Sequence, residues 1–186
     1  MLVSLGKRPA SNSDHPADIL LACHARIRNF MATARAIATR DDAADEVVRE
    51  GTRAVVRYFR VALPRHSADE DESIAPRMKG NDARVDEAMA TVCEEHRALE
   101  PALVTMCETL DAIDRDPSSR AAHSRTLLAI VDDLDARWAR HLGLEESVII
   151  PALRDLAAAD LESIRAEMRA RRADDFSADV SADPHV

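Results

Sequence analysis

Two segments of this chain each carry a histidine and a glutamate four residues apart, set among apolar residues. The pairs are His66 with Glu70 and His141 with Glu145, and a proline follows each histidine by ten residues, at Pro76 and Pro151. Residues four apart lie on the same face of an α-helix. The second pair shares its face with Leu134 and Val148, so an apolar face carries ionisable groups. Such groups are costly to bury unless a partner satisfies them.

Two further histidines, His24 and His96, lie on the apolar faces of two other predicted helices. The interval between them is nearly the same as the interval between the two His-x-x-x-Glu pairs. The chain therefore has the pattern of a duplicated helical hairpin. In each half, a helix with a single histidine precedes a helix with a His-x-x-x-Glu pair. Two-fold pseudo-symmetry would bring both halves to one centre.

A metal centre would satisfy all six side chains together. Imidazole is a good ligand for iron, zinc and copper, and a carboxylate can bridge two cations. The positive charge of two divalent ions would exceed the negative charge of Glu70 and Glu145. The remaining positive charge would favour a bound hydroxide or another small anion. One His-x-x-x-Glu pair alone is more often a solvated ion pair on a helix surface. Two copies at equivalent places of a repeat favour metal. The remaining histidines, His15, His123 and His185, are not expected to be ligands.

The composition predicts an all-α globular protein around these residues. Of the 186 residues, 46% are hydrophobic, 3% are aromatic and four are glycine. The formal net charge of −9 argues against binding to nucleic acid or to an anionic membrane. The start of the chain lacks the apolar stretch of a signal peptide, and the three cysteines form no CxxC motif. We therefore expect a cytoplasmic protein.

Helical periodicity and helix-breaking residues predict the elements that would position the six side chains. Four long helices are expected over residues 16–39, 43–78, 83–113 and 119–157. Kinks are expected at Pro64 and Pro101 and a disturbance near Gly143, and a short fifth helix would start at Asp160 and end near 172. Short turns predict an up-down-up-down four-helix bundle. The predicted organisation is a flexible N-terminus at 1–13, the bundle at 14–172 and a disordered tail at 173–186.

With these residues the chain resembles the hemerythrin-like, or HHE cation-binding, family. The family has a histidine on helix 1, His-x-x-x-Glu on helix 2, a histidine on helix 3 and His-x-x-x-Glu on helix 4. The matching residues are His24, His66 with Glu70, His96, and His141 with Glu145. The resemblance covers residues 14 to about 172. It implies a non-haem diiron centre with two iron ions, bridging glutamates and terminal histidines.

The chain departs at one place from the oxygen-carrying members of that family. Those members have a second histidine four residues after the helix 3 histidine, where this chain has Glu100. Because Glu100 is predicted on the His96 face, it is a possible seventh ligand, and the alternative is an exposed or ion-paired glutamate. Ferritin-like diiron proteins are the nearest other family, but they use Glu-x-x-His, and this chain has no glutamate three residues before His66, His96 or His141.

The resemblance implies a protein that binds or senses O₂, nitric oxide or peroxide in a cytoplasmic stress role. One alternative is a diiron oxidase or peroxidase-type enzyme. Another alternative is an iron donor for iron–sulfur cluster repair. Repair-type relatives, however, carry a cysteine-bearing domain ahead of the bundle. Here the segment before His24 is short and has Cys23 as its one cysteine, which argues against this alternative. A sensor would need a separate protein partner, because sensor relatives are usually fused to signalling domains. A metal-free bundle that serves only protein contacts is the remaining interpretation.

Overall fold

A computed structural model describes residues 14–40 and 42–180, with side chains described as far as residue 173. Within these ranges the chain forms five helices and no strand. They are α1, Pro16–Thr39; α2, residues 45–78; α3, Ala83–Arg115; α4, residues 120–154; and α5, Ala158–Val180. A 3₁₀ turn, Pro117–Ser119, precedes α4. The predicted flexible N-terminus, residues 1–13, lies outside the described ranges.

The first four helices form a bundle in which each helix packs against its neighbours in sequence. Helix α1 contacts α2 and α4, and α3 contacts the same two helices. Short connections make these neighbours antiparallel, so the predicted all-α bundle is confirmed. None of the helices in the described ranges is both long and apolar enough to cross a membrane.

Local capping fixes where the helices that carry single histidines begin. At the start of α1, the backbone N–H of Ala17 donates to the His15 side chain, and Pro16 occupies a first-turn position where its missing N–H has no cost. At the start of α3, the Asp82 carboxylate accepts from the N–H groups of Arg84 and Val85. In the preceding turn Gly80 has a φ of +83°, a conformation that favours glycine.

Helices α2 and α4 are not uniform α-helices, because π-helical segments interrupt them. In α2, α-helical Asp45–Arg57, Leu63–Ala68 and Ala75–Met78 alternate with π-helical Tyr58–Ala62 and Asp69–Ile74. In α4, π-helical Glu145–Ile149 separates Arg120–Leu144 from Ile150–Arg154. The disturbance predicted near Gly143 therefore falls later, at Glu145, and Gly143 itself is α-helical.

Each π segment ends just before a proline. The N–H groups of Leu63, Ala75 and Ile150 donate five residues back, to the carbonyl groups of Tyr58, Glu70 and Glu145. The next residue in each case is Pro64, Pro76 or Pro151. Proline lacks an N–H and clashes with the carbonyl four residues earlier, and the wider π turn accommodates both effects.

The buried core consists of two apolar clusters with a polar layer between them. The first cluster includes Met31, Phe59, Met106 and Leu134, and the second includes Leu20, Met78, Met89 and Leu153. Along α1, His24 lies between Leu20 of the second cluster and Ile27 of the first. The other candidate ligands occupy equivalent places on α2, α3 and α4. The two apolar clusters therefore separate this layer from solvent at both ends of the bundle.

The fifth helix is longer than predicted and packs beside the second π segment of α2. Ile164 and Met168 are buried in the second cluster, and Arg171 and Arg172 both contact Asp69. The expected end near 172 is wrong, since α5 continues to Val180. No glycine or proline interrupts residues 158–180, which agrees with this helix. The predicted disordered tail, residues 173–186, thus starts within α5, and residues 181–186 lie outside the described ranges.

Candidate metal centre

Six side chains from four helices meet in the polar layer between the two apolar clusters. His24 comes from α1, His66 and Glu70 from α2, His96 from α3, and His141 and Glu145 from α4. All but one of these residues are at most 1% exposed, and the His96 side chain is 6% exposed. The structure therefore brings together all six residues singled out from the spacing.

The six residues form two groups that share both glutamates. Position A is defined by His24 and His66, and position B by His96 and His141; Glu70 and Glu145 belong to both. In each group, one ligand atom from each of four residues lies within 4.8 Å of the others. This is the arrangement that two cations bridged by two carboxylates require.

The closest contacts show that each glutamate reaches both positions. The two oxygens of Glu145 lie 2.7 Å from His24 Nε2 and 2.6 Å from His141 Nε2. Glu70 Oε2 lies 3.2 Å from His96 Nε2 and 3.6 Å from His66 Nε2. Each carboxylate thus faces one histidine of position A and one of position B.

These buried atoms lack the hydrogen bonds that would otherwise stabilise them. Among the described residues, the Nε2 atoms of all four histidines and both oxygens of Glu70 and Glu145 have no hydrogen-bond partner, despite the short distances. Leaving so many buried polar atoms unsatisfied is expensive. Metal ions bound between the imidazole nitrogens and the carboxylate oxygens would satisfy them together, and this donor set suits iron, zinc or copper. The residues present therefore fit a metal centre.

Three of the four imidazole rings are oriented by carboxylates on their other nitrogen. The Nδ1 atom of His24 lies 3.0 Å from Glu146, that of His96 lies 3.0 Å from Asp71, and that of His141 lies 2.9 Å from Glu95. An N–H at Nδ1 that donates to a carboxylate leaves Nε2 free to bind metal and makes it more basic. We call Asp71, Glu95 and Glu146 the orienting carboxylates.

The sequence reasoning missed the orienting carboxylates, although a signal was present. Each of them is adjacent in sequence to a predicted ligand, and Asp71 follows Glu70 just as Glu146 follows Glu145. The sequence alone predicts a mostly solvated acidic face at residues 68–72, apart from Glu70. That expectation is wrong for Asp69, which is fully buried, and for Asp71, which contacts His96.

Burial and the neighbouring charges shift the pKa values of the centre in opposite directions. Burial lowers the pKa of His66 to about 3, so its imidazole is neutral. Burial also lowers the pKa of His96, but the nearby carboxylates of Asp71 and Glu70 outweigh that effect and raise the pKa to about 10. Burial and the nearby Glu145 carboxylate raise the pKa of Glu70 well above its ordinary value. Protons therefore balance the charge of the centre without metal, and cations would displace them.

Glu100 lies outside both groups, so the structure does not support it as a seventh ligand. Its side chain is exposed, whereas Leu99 is 2% exposed and faces the core. His96 is only partly buried and lies at one edge of the buried face of α3, which is centred on Val92 and Leu99. A step of four residues turns further in the same direction around the helix, so Glu100 falls beyond that edge and faces solvent. Of the other histidines, His15 caps α1, His123 is partly buried and in neither group, and His185 lies outside the described ranges.

A groove of about 540 Å³ between α2 and α3 reaches the centre at His96. Its apolar lining includes Phe59, Leu63 and Leu103, and the exposed Val104 lies along its side. Glu100 is part of the groove lining. The groove therefore leads from solvent to the most exposed of the six candidate ligands.

A family model described as the hemerythrin HHE cation-binding domain matches residues 15–153. This range contains all six residues of the centre and the three orienting carboxylates, and it ends before α5. Among curated proteins, none gives a significant match to the chain.

Proposed function

The chain belongs to the hemerythrin HHE cation-binding family, and from this premise we propose that it is a non-haem diiron protein that binds O₂, nitric oxide or peroxide. The observation that carries the proposal is the pair of four-residue groups that share both glutamates. Two iron ions are proposed, one at position A and one at position B. A role in stress response or sensing, in the cytoplasm, is part of the same proposal.

The number of ligands supports a function in binding a small molecule. Each group offers its ion two imidazole nitrogens and one oxygen from each of two carboxylates. Non-haem iron sites with few protein ligands keep coordination positions open for exogenous molecules. When bound, the two ions would supply open coordination positions and one-electron redox chemistry. The protein residues set which molecules reach those positions and how the ligands are held.

The surroundings of the centre support a small, weakly polar ligand. The two apolar clusters exclude water from both ends of the layer, and apolar side chains form part of the lining of the groove beside His96. Diatomic gases and peroxide are small enough to pass such a groove. The orienting carboxylates hold the Nδ1 protons of three rings, so those protons stay away from the ligand-binding side.

The cysteines support the proposed cytoplasmic location. Cys23, Cys93 and Cys107 are all free thiols, and free buried thiols are typical of proteins in a reducing compartment. The net charge of −9 favours neither nucleic acid nor anionic membrane as a partner. A sensing role would require a signalling element that responds to the state of the centre.

Anaerobic reconstitution tests the proposal directly. The full chain, freed of metal and loaded with ferrous iron, should contain two iron ions per chain and should develop a new visible absorption band on exposure to nitric oxide. Glu70→Ala should lose most of the iron, because both groups include this residue. The matched control His123→Ala should keep both ions. A wild-type chain that retains no iron, or a chain that binds two ions but shows no spectral response to nitric oxide, O₂ or peroxide, would contradict the proposal.

A further inference from the structure

The internal repeat extends beyond the ligands to the groups that orient them. Asp71 on α2 contacts His96 on α3, and Glu146 on α4 contacts His24 on α1, both at 3.0 Å. The interval between these two carboxylates is the same as the interval between Glu70 and Glu145. In both halves, therefore, the residue after the shared glutamate holds the single histidine of the other half.

A third orienting contact breaks this symmetry. Glu95, which immediately precedes His96, lies 2.9 Å from the Nδ1 atom of His141. The repeat-equivalent residue in the first half is Cys23, which immediately precedes His24. A thiol carries no carboxylate charge and is a weak hydrogen-bond acceptor.

The structure shows the consequence at His66, the repeat equivalent of His141. Its side chain is 1% exposed, and its Nδ1 atom has no hydrogen-bond partner among the described residues. The Cys23 sulfur instead accepts from the guanidinium group of Arg26 at 3.6 Å. Position B therefore has two histidines with orienting carboxylates, and position A has one.

A second difference acts in the same direction. Glu146, which orients His24 at position A, also accepts from Arg28, at 2.8 Å from the same oxygen that faces His24. Sharing with a guanidinium group withdraws negative charge from the imidazole. Arginines thus lie beside both the Cys23 thiol and Glu146, and their positive charge disfavours a cation nearby.

We propose that the two metal positions are unequal: position B holds its ion tightly, and position A holds an exchangeable ion. Loss of an outer hydrogen-bond partner typically lowers metal affinity by about 10–100-fold, and position A lacks one such partner. Glu95 is accordingly a positioning residue that acts through His141. The inference rests on metal binding at the proposed centre but not on the identity of its small ligand.

Two single-position proteins allow the affinities to be compared without repulsion between neighbouring ions. His66→Ala leaves position B with both of its histidines, and His141→Ala leaves position A with both of its own. Each metal-free full chain would be titrated with Zn²⁺, which is redox-inert, in competition with a chromophoric chelator. The His66→Ala protein should bind its ion about 10–100-fold more tightly than the His141→Ala protein.

Glu95→Gln tests whether the carboxylate causes this difference. Glutamine keeps the shape and an acceptor oxygen but removes the charge. In the His66→Ala background, Glu95→Gln should weaken Zn²⁺ binding by about 10-fold or more. The matched control is Glu94→Gln, the same change at an exposed neighbouring residue, which should leave the affinity unchanged. Should the single-position proteins fail to fold by circular dichroism, Glu95→Gln in the otherwise unmutated chain should weaken the first Zn²⁺ bound and leave the second unchanged.

Equal affinities of the two single-position proteins would overturn the inference, as would a Glu95→Gln change that Glu94→Gln reproduces. Either result would leave the diiron proposal standing. Failure of the wild-type chain to bind Zn²⁺ and ferrous iron at all would overturn both proposals.

Discussion

Replacing Asp69 with asparagine should weaken the attachment of α5 to the bundle. Asp69 is fully buried, and its two oxygens lie 2.8 Å from Arg171 and 2.5 Å from Arg172, both on α5. Breaking a buried ion pair by removing one partner typically costs about 3–5 kcal/mol. The two arginine side chains are 20% and 36% exposed and can turn toward water, so we expect a smaller loss of roughly 2–3 kcal/mol in the free energy of unfolding.

Glu72 provides the matched control, because it contacts the same arginine from the surface. It lies 3.1 Å from Arg171 and is 67% exposed, so Glu72→Gln should cost about 0–1 kcal/mol. Urea denaturation of the metal-free full chain measures both variants, and amide hydrogen exchange in α5 should accelerate selectively in Asp69→Asn. If Asp69→Asn destabilised the chain no more than Glu72→Gln, the buried ion pairs would not be what holds α5, and the reasoning would be refuted.

Three further predictions concern the centre and its access. Glu145→Gln should reduce the binding of both metal ions, whereas His24→Ala should affect mainly one. Elemental analysis at limiting metal separates these outcomes, and equal losses of metal in the two variants would contradict the shared role of Glu145. Val104→Trp should fill part of the groove and slow nitric oxide binding severalfold, while the iron content stays unchanged. Stopped-flow absorbance measures the rate of binding, and an unchanged rate would indicate another entry route. Pro151→Ala should weaken metal binding because the π segment of α4 can then relax. Pro101→Ala should leave metal binding unchanged, because α3 has no π segment. Chelator competition would show whether the two variants differ in metal affinity.

The convergence of the six residues could be predicted from the sequence because two periodicities agree. The helical period puts His141 and Glu145 on one face, and the internal repeat puts the equivalent pair on the other half of a symmetric bundle. Buried carboxylates and imidazoles then indicate metal, because few other partners satisfy them. That these residues bind iron remains a prediction, whereas the all-α fold and the family are confirmed.

Other features depend on small rotations and on tertiary contacts that a helical pattern does not specify. Glu100 was predicted on the His96 face, but His96 lies at the edge of the buried face of α3, so Leu99 faces the core and Glu100 lies on the surface. The burial of Asp69 depends on ion pairs with Arg171 and Arg172, which lie far from it in the sequence. Spacing within one helix cannot reveal such pairs.

The prolines at a fixed distance after each histidine have a physical role that connects the fold to the centre. Glu70 and Glu145 each accept, through their backbone carbonyl, the five-residue hydrogen bond that closes the π turn before Pro76 or Pro151. The same two residues provide the carboxylates shared by the two metal positions. Because proline cannot continue the four-residue hydrogen-bond pattern, it stabilises the wider turn in which one side chain faces the centre and the next reaches a histidine on a neighbouring helix. The repeated proline spacing therefore fixes the backbone on which both the bridging glutamates and two of the orienting carboxylates depend.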